Sequence, residues 1–204
     1  MAERKTIYLC LAHMSEEGWE QKYVKEAFDT NWVVPMGPNV NAFEKDLAVF
    51  ANSKTDGSEE LDRKVVCLSA GTAAVHLALI ACGVGPGDEV CVQDFTFCAS
   101  SHPITYVGAK PVFIGSEKDT WNMDPELLEK AIIDRKEKTG RYPKAIIPVA
   151  LYGMPYQIDR IMAIADKYGI PVIEDAAEGM GSRFNGQVLG TFGKYGVLSL
   201  MVTR

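Results

Sequence analysis

Short apolar runs alternate with longer helix-like segments along most of the chain. Apolar runs bounded by turn residues are typical of buried strands, whereas longer segments with spaced apolar positions are typical of helices. The pattern predicts strands at 64–70, 88–93, 110–115, 144–150 and 170–177, and helices at 71–83, 95–109, 125–139 and 155–169. A repeated strand–helix–strand order with continuously apolar strands predicts a mostly parallel sheet with helices on both faces, a three-layer α/β/α fold.

The helix predicted at 125–139 has recognisable ends. Asp124 is a capping residue type, Pro125 fits the first helical turn, and Gly140 is typical of the position after the last turn. The segment 52–64 is polar and rich in residues that favour turns, so we expect an exposed loop there.

Composition and charge restrict the class of protein. The chain has 204 residues, of which 47% are hydrophobic and 24% charged, as is ordinary for a globular protein with a sizeable core. The formal net charge is −6, and Lys and Arg form no cluster, which argues against a nucleic-acid or anionic-membrane surface. The start lacks a small-residue cleavage site, and no apolar run approaches membrane-spanning length. We therefore expect a cytoplasmic protein that binds neither nucleic acid nor membrane.

The cysteines and histidines do not predict a disulfide framework or a metal site. The cysteines are odd in number and lack C-x-x-C spacing, so we expect reduced thiols, mostly in the core. The histidines have no ligand spacing among themselves, which favours structural roles. These residues are Cys10, Cys67, Cys82, Cys91 and Cys98, with His13, His76 and His102.

Ligands of such sheets bind where the carboxyl ends of the strands meet the helix N-termini, so the strand ends matter most. The first is SAGTAAVH at 69–76, where Gly71 opens a helix and Thr72 adds a hydroxyl. Free N–H groups and the helix dipole at this place can hold a phosphate. A glycine turn before an Ala-rich packed helix is the alternative, and the motif alone favours that alternative.

The second strand end is QDFTFCAS at 93–100, where Phe95 and Phe97 lie two residues apart. An aromatic ring at this place can cover one face of a planar cofactor. A phenylalanine here is more often a plain core residue, so the motif alone does not decide between the two.

The third strand end is VIEDAAEGMGS at 172–182, where an apolar strand runs into Glu174 and Asp175, with Glu178 three residues on. A carboxylate at the buried end of a strand is costly unless something cationic pairs with it, and a protonated ring nitrogen would serve. The alternative is an aspartate that caps a helix beside a solvated glutamate.

Taken together, a phosphate cradle, a ring-stacking aromatic and a carboxylate for a ring nitrogen are what pyridoxal 5′-phosphate requires. The chain resembles the DegT/DnrJ/EryC1/StrS family of sugar aminotransferases, within the fold-type I pyridoxal-phosphate enzymes. The resemblance covers nearly the whole chain and rests on six stretches: NWVVPMGPNVNAFEKDLAVF, SAGTAAVHLAL, GDEVCVQDFTFCAS, GAKPVFI, AIIPVALYGMPYQIDRIMAIADKYGIPVIEDAAEGMGS and LGTFGKYGVLS.

The resemblance implies a role for each matching residue around the cofactor. Gly71 and Thr72 match the helix start that binds the phosphate, and Ser199 matches a serine that bonds the same group. Phe97 matches the ring-stacking aromatic, and Asp175 matches the aspartate that pairs with the pyridine nitrogen.

The resemblance also assigns Glu178 to the side of the cofactor that carries the 3-hydroxyl group. It implies the large domain of a fold-type I aminotransferase at 41–204, incomplete because the small C-terminal domain is absent. The segment 1–40 would lie near the sugar-nucleotide site. The residues of that segment assigned to substrate binding are Asn31, Trp32, Pro35 and Gly37.

The activity implied by the resemblance is transamination of a nucleotide-linked 4-keto-6-deoxy sugar with L-glutamate as the amino donor, as in bacillosamine or perosamine synthesis. The family works as a homodimer in which each active site is completed by the partner subunit. No metal is implied.

One residue departs from the family pattern. The family's Schiff-base lysine comes five residues after the serine matched by Ser199, and Arg204 stands at that place. A guanidinium stays protonated, so it offers neither a nucleophile nor a base. We therefore expect this chain to be inactive in transamination.

Two explanations of Arg204 are open. A deleted base in the phenylalanine codon of Ser-Phe-Asn-Gly-Asn-Lys would produce Leu-Met-Val-Thr-Arg, the last five residues. The other is a Lys-to-Arg change in a Pro-Thr-Lys variant of the motif, together with an artificial end of the chain. Sequencing the gene past Arg204 would decide between them.

Other functional classes explain the motifs less well. A nicotinamide-binding domain would need G-x-G-x-x-G after its first strand, and SAGTAA lacks it. Lysine-free sugar dehydratases exist in the family, but they usually carry histidine at the lysine position. A non-catalytic remnant that still binds the cofactor is the most serious rival.

Overall fold

A computed structural model describes residues 14–200 of the chain. Cys10 and His13, and Arg204 with its two explanations, lie outside the described residues. The helices are α1 Trp19–Asp29, α2 Pro38–Asn52, α3 Gly71–Ala81, α4 His102–Tyr106, α5 Pro125–Thr139 and α6 Ile158–Tyr168. The strands are β1 Glu89–Gln93, β2 Lys110–Ile114, β3 Ala145–Ile147, β4 Ile173–Asp175, β5 Arg183–Phe184, β6 Gln187–Val188 and β7 Tyr195–Val197.

The long strands form one parallel layer. β1 lies between β2 and β3, and β4 pairs with β7, all in parallel. Two parallel bridges join β3 and its extension to the strand that contains β4, namely Ile146 with Val172 and Val149 with Asp175. The spatial order is therefore β2, β1, β3, β4, β7, which brings the ends of β4 and β7 together at one edge of the layer.

Helices cover both faces of this layer. Cys91 of β1 packs in a cluster with side chains of α5 and α6, whereas its neighbours Val90 and Val92 pack with α3 and α4. Because successive strand residues point to opposite faces, the two clusters lie on opposite sides of the sheet. The predicted α/β fold with a parallel sheet is confirmed.

The local end signals of α5 are also confirmed. The Asp124 carboxylate accepts hydrogen bonds from the N–H groups of Glu126 (2.7 Å) and Leu127 (3.3 Å), and Pro125 occupies the first turn. Gly140 ends the helix in the left-handed conformation, with φ of 75°.

The strand predicted at 64–70 is wrong. This segment has no hydrogen-bonded strand partner among residues 14–200, although its side chains alternate between half-buried and exposed from Lys64 to Leu68. The N–H of Cys67 donates instead to the carboxylate of Glu44 in α2 (2.7 Å). An apolar alternating pattern predicts an extended backbone, but a strand also needs a neighbour, which no local pattern supplies.

The helix predicted at 95–109 is largely wrong. Residues 94–96 form a bend, Phe97 is extended, a single 3-10 turn covers Cys98–Ser100, and only α4 is helical. Pro103 lies in the first turn of α4, where its missing N–H removes no helical hydrogen bond. The proline therefore starts a short helix here instead of lying within a long one.

The expectation of core thiols holds for one of the described cysteines. Cys91 is buried, and burial raises the pKa of its thiol to about 12. Cys67 and Cys82 are half-buried, and Cys98 is exposed. Among residues 14–200, no helix is both long and apolar enough to cross a membrane.

Candidate functional site

Asp175, the last residue of β4, is a buried carboxylate without a cationic partner in the part of the chain that the structure describes. It is 5% exposed; its Oδ2 accepts the Ser100 hydroxyl (2.6 Å) and its Oδ1 accepts the Ala177 N–H (3.2 Å). Burial raises the pKa of Asp175, the Ser100 and Ala177 donors oppose this rise, and the charge of Glu178 adds to it. An anion in these surroundings favours a cationic ligand.

The helix-cap alternative for Asp175 is wrong. Its Oδ1 accepts the N–H two residues on, but no helix lies between β4 and β5. The next turn brings Glu178 back to the loop after β3, where the Oε2 of Glu178 accepts the N–H of Tyr152 (2.5 Å). Glu178 is exposed as expected of a solvated glutamate, yet it is held by this contact.

Phe97 lies on the loop that reaches Asp175. It is the residue before the 3-10 turn that carries Ser100, so the hydrogen bond from Ser100 fixes this loop beside β4. Phe97 is 71% exposed, so the alternative of a plain core phenylalanine is wrong. Its face is accessible at the same edge of the sheet as the buried carboxylate.

The proposed phosphate residues meet at the start of α3. Ala70 precedes the helix and has no side-chain oxygen, so it cannot cap the first N–H groups at Gly71 and Thr72. A Cβ added to Gly71 would lie 3.4 Å from the Cβ and 3.6 Å from the Oγ of Ser199. The helix N-terminus and the serine hydroxyl are therefore neighbours, which is an arrangement suited to an anion.

The pairing of β4 with β7 links the two ends of the site. Asp175 is in register with Val197, and the N–H of Ala176 donates to the carbonyl of Val197 (2.9 Å). Ser199 follows Val197 by two residues, so the buried carboxylate and the serine beside Gly71 lie on adjacent chain segments.

A second buried carboxylate fixes the turn before β7. Glu174 is 1% exposed; its Oε1 accepts the N–H groups of Phe192 (2.5 Å) and Gly193 (2.6 Å), and its Oε2 accepts the N–H of Gly190 (3.2 Å). Burial raises the pKa of Glu174, and the three N–H donors oppose the rise. Glu174 thus holds β7 in place, and its role is structural.

Glu174→Gln is expected to destabilise the fold by about 2 kcal/mol, because the new amide N–H₂ would face backbone N–H donors that cannot turn to accept. Chemical denaturation at pH 7 measures the loss. Glu59→Gln, at an exposed position, is the matched control and should change the free energy of unfolding by less than about 0.5 kcal/mol. Equal stability of both variants would contradict the structural role of Glu174.

A buried amide pair joins three loops at the carboxyl edge, and the sequence analysis did not find it. The Nε2 of Gln93 donates to the carbonyl of Phe95 (2.9 Å) and lies 3.3 Å from the Oδ1 of Asn122, while its Oε1 accepts the N–H of Met123 (2.8 Å). The Oδ1 of Asn122 also accepts the N–H of Leu151 (3.1 Å). The loops after β1, β2 and β3 are thereby tied to one another.

Exposed aromatic side chains stand on these tied loops. The rings of Phe95 and Trp121 have centroids 6.0 Å apart. Trp121 and Tyr152 both adopt the left-handed conformation, with φ of 63° and 53°. That conformation is uncommon for bulky residues and is concentrated at functional sites.

The segment proposed to bind substrate lies between α1 and α2. Asn31 has φ of 60°, and a Cβ added to Gly37 would lie 2.9 Å from the Trp32 ring, so the tryptophan packs directly on the glycine. Trp32 and Pro35 are exposed. The role of Asn31, Trp32, Pro35 and Gly37 in substrate binding stays a prediction.

Sequence reasoning missed Ser100, the hydroxyl partner of Asp175 in the candidate site. The only available signal was a small hydroxyl residue three positions after the exposed aromatic of QDFTFCAS, and such residues are common near strand ends. Among residues 14–200, no group of three or more His, Cys, Asp or Glu side chains could hold a metal ion.

Comparison with known proteins relates the chain to one family. The model of the DegT/DnrJ/EryC1/StrS aminotransferase family matches residues 14–204. EpsN of Bacillus subtilis, named for pyridoxal phosphate-dependent aminotransferase activity, is 48% identical over 195 residues, covering 96% of this chain and 47% of EpsN. GDP-perosamine synthase of Caulobacter vibrioides is 38% identical over 177 residues, covering 87% of this chain and 43% of the synthase.

Solved structures give the same relation. A DegT DnrJ EryC1 StrS aminotransferase from Brucella abortus superposes with a TM-score of 0.74 at 32% identity, over 90% of this chain and 48% of that one. NtdA of Bacillus subtilis with bound cofactor PMP gives a TM-score of 0.72 at 30% identity, over 87% of this chain and 37% of that one. The chain spans under half the length of the relatives it matches.

Proposed function

The chain belongs to the DegT/DnrJ/EryC1/StrS aminotransferase family, and from that premise we propose that its site holds pyridoxal 5′-phosphate. The observation that carries the proposal is Asp175, a buried carboxylate that no cationic side chain of residues 14–200 pairs with. A protonated pyridine nitrogen supplies the missing positive charge. The start of α3, which Ala70 does not cap, lies beside Ser199 and supports binding of the phosphate there.

Each residue of the candidate site has a proposed role in binding or orienting the cofactor. Asp175 keeps the proton on the ring nitrogen, since its carboxylate is fixed by two donors and buried from water. The N–H groups at Gly71 and Thr72 and the hydroxyl of Ser199 hold the phosphate. Phe97 covers one face of the ring.

Glu178 stands by the 3-hydroxyl side of the cofactor, held there by the N–H of Tyr152. When bound, pyridoxal phosphate supplies an electron sink that stabilises the charge left as a Cα–H bond breaks. The part of this chain is to orient the ring and to keep its nitrogen protonated.

We propose a nucleotide-linked 4-keto-6-deoxy sugar as substrate and L-glutamate as amino donor for the whole protein. The support is the likeness to a GDP-perosamine synthase. The residues proposed to contact the sugar nucleotide are Asn31, Trp32, Pro35 and Gly37, within an N-terminal segment at 1–40 that precedes the cofactor domain at 41–204. We also propose a homodimer.

A second candidate function, cofactor binding without catalysis, is favoured by the residue at position 204. Arg204 stands where the family has its lysine, and a guanidinium cannot form an imine or accept a proton. For the chain as given, binding and transamination are therefore separable.

Titration of the chain with pyridoxamine phosphate, followed by the fluorescence of the ligand, tests the cofactor proposal. Saturable binding is expected, and pyridoxamine without the phosphate should bind at least tenfold more weakly, since it loses the contacts at Gly71 and Ser199. Failure to bind either compound would overturn the proposal.

A transamination assay with a nucleotide 4-keto sugar and L-glutamate separates the two candidate functions. No turnover is expected from the chain as given. A pyridoxyl label fixed by borohydride on a lysine of a turning-over chain would contradict the binding-only function.

A further inference from the structure

We propose that Thr96 and Ser100 form a two-hydroxyl relay that positions the Asp175 carboxylate for the ring nitrogen. The proposal rests on the proposed cofactor site and adds two positioning residues to it. Both lie on the loop between β1 and α4, and neither needs to touch the cofactor.

Proton counting fixes the direction of the relay. Ser100 is 1% exposed, and its single hydroxyl proton goes to the Oδ2 of Asp175, at 2.6 Å. The Oγ1 of Thr96 lies 2.9 Å from the Oγ of Ser100, and either atom could donate by distance alone. Because the Ser100 proton is used, the Thr96 hydroxyl must donate to Ser100 when Asp175 is ionised. Hydrogen bonds in such a chain polarise and strengthen one another.

Ser100 and the backbone N–H of Ala177 donate to different oxygens of the Asp175 carboxylate. Ser100 binds Oδ2, whereas the N–H of Ala177 binds Oδ1 at 3.2 Å. Two donors on two oxygens fix the plane of the group, and each oxygen keeps a lone pair for a ligand. Without Ser100, the Ala177 contact would be the one hydrogen bond left from residues 14–200 to orient the side chain.

The relay also favours the ionised form of Asp175. Burial disfavours the anion, and the charge of Glu178 acts in the same sense. Among residues 14–200, Glu178 is the charged group that raises the pKa of Asp175, and the donors that lower this pKa are Ser100 and Ala177. If Asp175 takes up a proton, the hydroxyls can reverse, with Asp175 donating to Ser100, but a neutral carboxyl no longer attracts a protonated ring.

Ser100→Ala tests the relay, with pyridoxamine phosphate and its 1-deaza analogue, in which C–H replaces the ring nitrogen, as probes. We expect about tenfold weaker binding of pyridoxamine phosphate, the loss typical of one hydrogen bond to a charged group, and unchanged binding of the analogue. A merely structural serine would lower both affinities equally. Equal loss for both probes, or no loss for either, would overturn the proposal.

Ser101→Ala is the matched control. The hydroxyl of Ser101 lies next along the chain and donates to the carbonyl of Cys98 (3.3 Å), away from Asp175. This variant should bind both probes as the parent chain does. Thr96→Val, which removes only the outer hydroxyl, should fall between the parent and Ser100→Ala.

A measurement without ligand keeps this proposal separate from the cofactor site. ¹³C NMR of labelled aspartate, assigned with Asp175→Asn, follows the ionisation of Asp175, whose pKa should rise in Ser100→Ala. If no probe binds the parent chain but this rise is seen, the cofactor proposal fails and the relay stands. If the parent binds pyridoxamine phosphate and the pKa of Asp175 is the same in both proteins, the relay is overturned.

Discussion

Asp175→Asn is expected to weaken pyridoxamine phosphate binding by about a hundredfold, at the upper end of the effect of one hydrogen bond to a charged group. The same change should raise the melting temperature at neutral pH. The amide can keep both local contacts, because its oxygen can accept the Ala177 N–H and the Ser100 hydroxyl can turn to accept from its N–H₂. The substitution removes the negative charge, which the proposed ligand needs and the ligand-free protein does not.

The gain in stability expected from Asp175→Asn depends on pH. The pKa of Asp175 is raised by burial above its ordinary value of 3.8, so the folded state favours the protonated acid. Its contribution to stability is therefore fully present below pH 3.8 and is lost as pH rises through the folded-state pKa. Asp175→Asn should exceed the parent chain in stability at pH 7, and the difference should disappear below about pH 4.

Thermal melts from pH 3 to pH 8, with affinity measured by ligand fluorescence, check both halves of this prediction. Asp94→Asn is the control, because Asp94 is an exposed carboxylate just past the end of β1. Asp94→Asn should change neither the melting temperature nor the affinity for pyridoxamine phosphate. Undiminished binding by Asp175→Asn would remove Asp175 from the site, and a lower melting temperature at pH 7 would show that its charge is compensated in the free protein.

Gly196→Ala is expected to abolish the cooperative fold, with a loss of more than about 4 kcal/mol. Gly196 lies in the middle of β7, in register with Glu174, and a methyl group there would overlap the carbonyl oxygen of Gly190. The obstacle is backbone, held in turn by the Glu174 carboxylate through the Gly190 N–H, so it cannot move aside without breaking that contact. β7 would have to leave the sheet.

Gly85→Ala is the matched substitution, since a Cβ added there would meet no atom within 4 Å. Its effect should stay within about 0.5 kcal/mol. Circular dichroism and denaturant titration of the two variants measure the difference. A Gly196→Ala protein that unfolds at the same denaturant concentration as Gly85→Ala would show that the turn before β7 is adaptable.

Features whose causes are local along the chain could be predicted from the sequence. Asp124 and Gly140 bound α5 as expected because capping and the left-handed turn depend on a few adjacent residues. The β5–β6 hairpin belongs to the same class, since Asn185 and Gly186, with φ of 46° and 82°, are the residue pair that favours such a turn. That signal was in the sequence and was overlooked.

Features that depend on distant partners could not be predicted. The 64–70 segment has the composition of a strand, but pairing is decided by whether another strand lies alongside. Ser100 and Asp175 are 75 positions apart, so their hydrogen bond appears only once β1 and β4 are placed in one sheet. The strand-end rule singled out Gly71 and Asp175, whereas Ser199 was found only through the resemblance to a family.

The amide pair Gln93–Asn122 constrains how such a protein can acquire a new specificity. Both amides are fully buried and bond to backbone groups of three loops. Lengthening any one loop would therefore leave a buried polar group without its hydrogen-bond partner. The aromatic rings of Phe95, Trp121 and Tyr152 face outward from the same loops and can be exchanged without disturbing those bonds. We therefore expect new specificities, natural or engineered, to come from replacing the exposed side chains while the loop lengths stay constant.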